Sequence, residues 1–228
     1  MTIYIAGDST AEIKTKSERP ESGWGEYLSD FFKASIQVAN HAAGGRSTKS
    51  FLKQNRFEPI LDKMKPGDYL LIQFGHNDQK IDDPERYTDP HTTYQDNLKW
   101  FIKETKYKNA TPILLTSINR RVFKEGQIDT TSLGDYPAAM RKVAQEEKVL
   151  LIDMHQLSIQ LLTQLGEEDS KELFLHLKKN EYANYPDGLE DNTHFSEIGA
   201  EIFAKIIAQE LARQINEIDQ NIIKEQIT

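Results

Sequence analysis

Five short apolar runs punctuate the chain and predict buried β-strands: Thr2–Ala6, Ile36–Ala39, Tyr69–Phe74, Ile113–Thr116 and Val149–Ile152. Between them the apolar spacing changes to that of helices. Tyr94, Leu98, Phe101 and Ile102 mark one helix, with Thr92 or Thr93 as its N-cap. Met140, Val143 and Ala144 mark a second, entered through Asp135 with Pro137 in its first turn. The last is the clearest: Ile198, Ile202, Ile206, Leu211, Ile215 and Ile218 recur at helical spacing. Short apolar strands separated by helices predict an α/β fold, a five-stranded parallel sheet inside a doubly wound three-layer α/β/α sandwich. No internal repeat, low-complexity tract or Pro/Gly linker interrupts the pattern, so residues 1–228 are expected to form a single domain. Gln79–His91, Ile118–Gly134 and Gly166–Asp191, the last with some helix inside it, read as surface loops.

Open parallel sheets bind ligands beyond the carboxyl ends of their strands, so the residues after each run are the ones to read for chemistry. After the first come Gly7-Asp8-Ser9-Thr10, and after the second Asn40-His41-Ala42-Ala43-Gly44-Gly45-Arg46-Ser47. Gly75-His76-Asn77-Asp78 follows the third, and Ser117-Ile118-Asn119-Arg120-Arg121 the fourth. Asp191-Asn192-Thr193-His194 stands before the last helix, which Ser196 is placed to cap.

Taken singly, each has an ordinary structural reading. Ser9 is a turn residue or helix cap, Gly44-Gly45 a flexible turn, Asn77 a turn residue, and Asp191 to His194 a polar loop. Together they contain the parts of an acyl-transfer site. A serine hydroxyl becomes a nucleophile when an imidazole takes its proton, and a carboxylate on the other ring nitrogen fixes the tautomer. Asp191 and His194 are three residues apart, within reach of each other across a compact turn. Glycine-turn N–H groups and an asparagine amide suit an oxyanion, each such donor contributing roughly 3 kcal/mol to the transition state. Gly7-Asp8-Ser9-Thr10 also admits a phosphate-binding reading on a flavodoxin-like module. It lacks the glycine density and lysine of a P-loop, and that reading leaves Asn77, Asp191 and His194 unexplained.

Composition narrows the partners. No apolar run approaches the length needed to span a membrane. The net charge of −8 disfavours nucleic acid and anionic membrane surfaces, which are bound by clustered Lys and Arg. Cysteine is absent, excluding disulfides and thiolate metal sites. The chain opens on strand-like residues rather than a basic, apolar leader, and the expected location is cytoplasmic. The pattern assigns no oligomeric state.

The four blocks Gly7-Asp8-Ser9-Thr10, Asn40 to Gly45, Gly75-His76-Asn77-Asp78 and Asp191-x-x-His194 resemble, in order and spacing, those of the SGNH (GDSL-type) hydrolases. The resemblance covers nearly the whole chain. It implies a flavodoxin-like sandwich with Ser9 as nucleophile and Asp191 and His194 as its catalytic partners. The implied oxyanion donors are the Ser9 N–H, Gly45 and Asn77, with Gly44 as a rival to Gly45. Gly45-Arg46-Ser47, Phe74 to Asp78 and the paired Arg120-Arg121 further resemble the rhamnogalacturonan acetylesterase branch, which implies an acetylated pectin-derived oligosaccharide as substrate. Gly44 departs from the alanine frequent in such relatives. Arg46, Lys49, Arg120 and Arg121 are expected on the active rim, where they meet galacturonate carboxylates. Xylan or other carbohydrate acetyl esters, thioesters and lysophospholipids are the alternative substrates. No metal or cofactor is expected, because imidazole supplies the base and amides the electrophilic assistance. Asp153 and His155 read as a loop entry with a helix cap, and His76 and Asp78 as structural.

Overall fold

A computed structural model of the chain describes residues 1–227. In chain order it runs β1 (Thr2–Gly7), α1 (Trp24–Tyr27), β2 (Gln37–Asn40), α2 (Thr48–Lys53), α3 (Glu58–Lys63), β3 (Tyr69–Gln73), α4 (Thr93–Tyr107) and β4 (Thr111–Leu115). The second half adds β5 (Phe123–Lys124), β6 (Gln127–Ile128), α5 (Tyr136–Glu147), β7 (Leu150–Ile152), α6 (Met154–Asp169), β8 (Phe174–Leu177), β9 (Leu189–Phe195) and α7 (Glu197–Gln214). Two short helices, α8 (Asn216–Asp219) and α9 (Lys224–Ile227), follow.

Five strands form one sheet in the order β2-β1-β3-β4-β7, every pair parallel. The register places Ile5 beside Asn40 and Leu71, Leu71 beside Ile113, and Ile113 beside Leu150. Strand alternation divides the apolar residues between two cores. Ile3, Ile5, Leu71, Ile113 and Leu115 face α1, α6 and α7, while Tyr4, Ala6, Leu70, Ile72 and Leu114 face α2 to α5. This is the expected three-layer α/β/α sandwich. Chain order reverses direction between β1 and β3, so a crevice opens beyond their carboxyl ends.

Several helix details depart from the sequence reading. Thr92 holds the N-cap position of α4 without a capping side-chain bond, and the Thr93 hydroxyl accepts the Asp89 N–H at 2.8 Å. Asp135 likewise makes no cap bond, its carboxylate lying 3.0 Å from His91 Nε2. Ile215 leaves the helical conformation (φ −131°), so the isoleucine series spans two helices rather than one. The buried face of α7 is also turned: Ala200, Ala204, Ala208 and Ala212 line it with Phe203, Ile207 and Leu211, while Ile198 is 47% exposed. The buried stripe is thus built largely of alanines rather than of the isoleucine series.

The predicted loop Gly166–Asp191 contains an antiparallel hairpin, β8 with β9. Its end is tied to α7. Phe195 packs on Phe174 and Phe203 with ring centroids 5.5 and 4.7 Å away, and Ser196 caps α7 by accepting the Gly199 N–H at 3.1 Å. A Cβ at Gly199 would stand 1.9 Å from the Leu173 carbonyl oxygen. In an unconstrained helix Gly→Ala gains about 1 kcal/mol; here overpacking against backbone reverses the sign. Gly199→Ala is expected to lower stability by about 1–3 kcal/mol, read as a lower urea midpoint at unchanged m-value.

Candidate active site

Beyond β1 the chain turns through Asp8. The Asp8 Oδ1 accepts from the Thr10 N–H at 3.0 Å and from the Thr10 hydroxyl at 2.7 Å, and the Ala11 N–H closes on the Asp8 carbonyl at 3.1 Å. Gly7 is needed less for its dihedrals than for room, since a Cβ there would lie 3.2 Å from the Gln73 carbonyl oxygen. The Asn40 side chain bridges to the next loop, donating to the Ala11 carbonyl at 2.6 Å and accepting from the Ala42 N–H at 2.9 Å. Ser9 is thus held at the tip of a cross-braced turn, half-buried.

Ser9 Oγ lies 3.0 Å from His194 Nε2, and His194 Nδ1 lies 2.7 Å from Asp191 Oδ2. The short contact to a carboxylate places the proton on Nδ1 and leaves Nε2 to accept from the serine hydroxyl. Asp191 and His194 sit on β9 rather than in a simple loop. Phe174 pairs with Phe195, but the next residue, Leu175, pairs with Asp191, so Asn192-Thr193-His194 bulge from the ladder. The bulge folds back on Asp191 Oδ1, which accepts the Thr193 and His194 N–H groups at 2.6 and 3.0 Å. Burial raises the Asp191 carboxyl, but the bond and charge of His194 and these backbone donors outweigh it and bring it to about 2. Burial lowers the His194 imidazole, and Asp191 outweighs this in turn, raising it above the ordinary histidine value.

Asn77 and Gly45 line the same cleft as Ser9 and His194. The Asn77 amide donates to the Arg46 carbonyl at 3.1 Å and its oxygen accepts from Arg86 at 3.3 Å. Gly45 adopts φ +74°, a conformation that side chains disfavour. Gly44 lies outside this cleft, in the one adjoining it. His76 faces Asp8 Oδ2 at 3.2 Å and the Ile118 carbonyl at 3.0 Å. Asp78, fully buried, accepts from Thr48 and Thr88; burial outweighs these donors and raises its carboxyl to about 7. Asp153 accepts the Gln156 N–H at the start of α6 and pairs with Arg141 at 2.7 Å.

The four rim cations have different surroundings. Arg120 lines the Ser9 cleft and donates to Thr193 Oγ1 at 2.7 Å. Arg121 does not meet the cleft. It is 5% exposed, and its guanidinium donates to Ser170 Oγ, Asn192 Oδ1 and the Glu167 carbonyl. A buried guanidinium requires such acceptors, and Arg121 braces the β9 bulge instead of reaching a ligand. Arg46 lines the adjoining cleft, where it donates to Gln54 and to the Gly44 carbonyl. Lys49 is exposed and donates to the Pro84 carbonyl at 2.6 Å.

The Ser9 cleft has a volume of about 280 Å³ and no hydrophobic side chain among its lining residues. Lys14, Glu21, Lys80 and Arg86 were not singled out in the sequence yet line it. Lys14 is nearly buried, paired with Glu12 at 3.0 Å and Glu21 at 2.7 Å. Lys80 and Arg86 belong to the loop Gln79–His91 after β3, whose position at the strand end was the available signal.

The GDSL-like lipase/acylhydrolase family model matches residues 5–202, and the chain belongs to that family. It is 45% identical over 208 residues to rhamnogalacturonan acetylesterase RhgT of Bacillus subtilis, over 91% of this chain and 88% of that protein. It is 39% identical over 223 residues to the probable rhamnogalacturonan acetylesterase YesY of the same organism, over 98% of each. The crystal structure of B. subtilis protein YxiM superposes with a TM-score of 0.80 at 30% identity, covering 93% of this chain and 56% of that one. Axe2, an acetylxylan esterase from Geobacillus stearothermophilus, shares the fold with a TM-score of 0.63 at 18% identity, covering 92% and 93%.

The His194 surroundings have a measurable consequence. Its imidazole is expected to titrate by NMR above the ordinary value of about 6.5. In Asp191→Asn the raising partner is lost while burial remains, so the midpoint falls below that of the unaltered protein. A midpoint unchanged by Asp191→Asn contradicts the assigned contact.

Proposed function

We propose that residues 1–228 act as a single catalytic domain, a serine esterase that removes O-acetyl groups from pectin-derived rhamnogalacturonan saccharides. The observation that carries the reading is the Ser9–His194–Asp191 chain of contacts, at 3.0 and 2.7 Å, opening on a small cleft lined by polar and charged residues and Gly45. The names of RhgT and YesY support the substrate. The small size of the cleft and the absence of hydrophobic residues from its lining favour acetyl over a long acyl chain.

In this mechanism Ser9 Oγ attacks the acetyl carbonyl carbon as its proton passes to His194 Nε2, and Asp191 stabilises the resulting imidazolium. Negative charge gathers on the carbonyl oxygen, to be met by the Ser9 and Gly45 N–H groups and the Asn77 amide. Collapse of the tetrahedral adduct breaks the bond to the sugar oxygen, which takes the proton from His194. Water, giving its proton to the now neutral His194, then attacks the acetyl-enzyme; collapse of the second adduct breaks the bond to Ser9 Oγ, which takes that proton back from His194, and acetate leaves. Arg120, beside the cleft, and Arg46, in the adjoining one, are the proposed saccharide contacts.

Ser9→Ala is expected to abolish acetate release from acetylated rhamnogalacturonan oligomers with an unchanged thermal unfolding midpoint; retained release would sink the nucleophile assignment. Asn77→Ala is expected to lower kcat about 10²–10³-fold with little effect on KM. A change confined to KM removes Asn77 from the oxyanion role.

A further inference from the structure

Arg86 lies in the loop between β3 and α4, outside the set of residues that the chemistry of the sequence selects. Its Nε donates to Asp83 Oδ2 at 2.5 Å, and its Nη1 donates to Asn77 Oδ1 at 3.3 Å. Asp83 is itself fixed by a turn, its carbonyl accepting the Arg86 and Tyr87 N–H groups at 3.0 and 2.7 Å. The guanidinium therefore extends from an anchored loop to the carbonyl end of the Asn77 side chain. At the other end of that amide, Nδ2 donates to the Arg46 carbonyl.

A carboxamide has two faces of opposite chemistry. Its N–H stabilises an oxyanion, whereas its oxygen, brought to the same place by a flip, repels one. A cation on the amide oxygen opposes that flip and also polarises the group, which strengthens the opposite N–H as a donor. Arg86 is placed against the glycine turn as well: a Cβ at Gly45 would stand 3.5 Å from its Nη1. Gly45 and Arg86 are the two residues that line both the Ser9 cleft and the adjoining cleft of about 580 Å³.

We propose that Arg86 is a positioning residue, holding the Asn77 carboxamide in the orientation that offers N–H rather than oxygen to the reacting carbonyl. The role rests on the esterase reading above. Asp83 anchors Arg86, so an Asp83–Arg86–Asn77 relay joins the exposed loop to the cleft. Arg86 needs no contact with the substrate to act in this way.

The test uses para-nitrophenyl acetate, an uncharged ester too small to require the adjoining cleft. Arg86→Met, which keeps bulk but no donor, is expected to lower kcat about 10-fold with KM nearly unchanged. Arg86→Lys, which retains a cationic donor, should recover part of the loss. In an Asn77→Ala background Arg86→Met should have no further effect on kcat, because the group it positions is gone. Asp83→Asn should reproduce a smaller kcat loss, and it serves as the test if Arg86→Met proves unstable. Unchanged kcat in Arg86→Met, or an equal loss with and without Asn77, overturns the positioning role alone. Absence of Ser9-dependent hydrolysis by the unaltered protein overturns the esterase reading and this role with it.

Discussion

Asp8 is fully buried, with its carboxylate against the Thr10 donors on one side and His76 Nδ1 on the other. Burial raises the Asp8 carboxyl, and His76 and Thr10 together outweigh it and hold the group below its ordinary value. A charge so enclosed persists only while its partners stay in place. Asp8 immediately precedes Ser9 and His76 immediately precedes Asn77, so this contact couples the two loops that meet at the cleft. His76 extends the constraint to a third loop through the Ile118 carbonyl. The carboxyl ends of β1, β3 and β4 are thereby fastened to one another beneath the site.

The same logic organises charge above that base. A chain of net charge −8 gathers Lys14, Lys80, Arg86 and Arg120 around one small cleft. Their neighbours hold them apart in function. Lys14 is neutralised by Glu12 and Glu21, and Arg120 is fastened to Thr193 within the β9 bulge. Burial lowers the Lys80 ammonium, and Arg86 and Arg120 lower it further. The cleft thus gathers cations, of which Lys14, Arg86 and Arg120 are met by neighbouring carboxylates and hydrogen-bond acceptors.

Local periodicity made the sheet legible. Each of the five strands was placed to within two residues at either end, and the doubly wound layering followed from their alternation with helices. The less legible elements are those whose stability is not local. Phe174–Leu177 is short and Leu189–Phe195 is largely polar, and they become strands by pairing with each other and by packing Phe174 and Phe195 on Phe203. The isoleucines located α7 but not its buried face, which Ala200, Ala204 and Ala208 share with Phe203, Ile207 and Leu211.

For the site, the chain by itself determined which chemical groups stand beyond which strands, since strand position and turn chemistry are set by neighbouring residues. It also set the three-residue spacing of Asp191 and His194. Only the tertiary structure decided that the His194 ring meets Ser9, 185 positions away, because that contact depends on how the β8–β9 hairpin docks on the parallel sheet. It likewise separated Arg120 from its neighbour Arg121. Arg120 reaches the cleft, whereas Arg121, which follows it in a tight turn closed by the Val122 N–H on the Arg120 carbonyl at 2.9 Å, is buried behind the bulge. Arg86 belongs to the same category: its loop was placed at the strand end by the sequence, but its link to Asn77 exists only because that loop folds back over the end of β3.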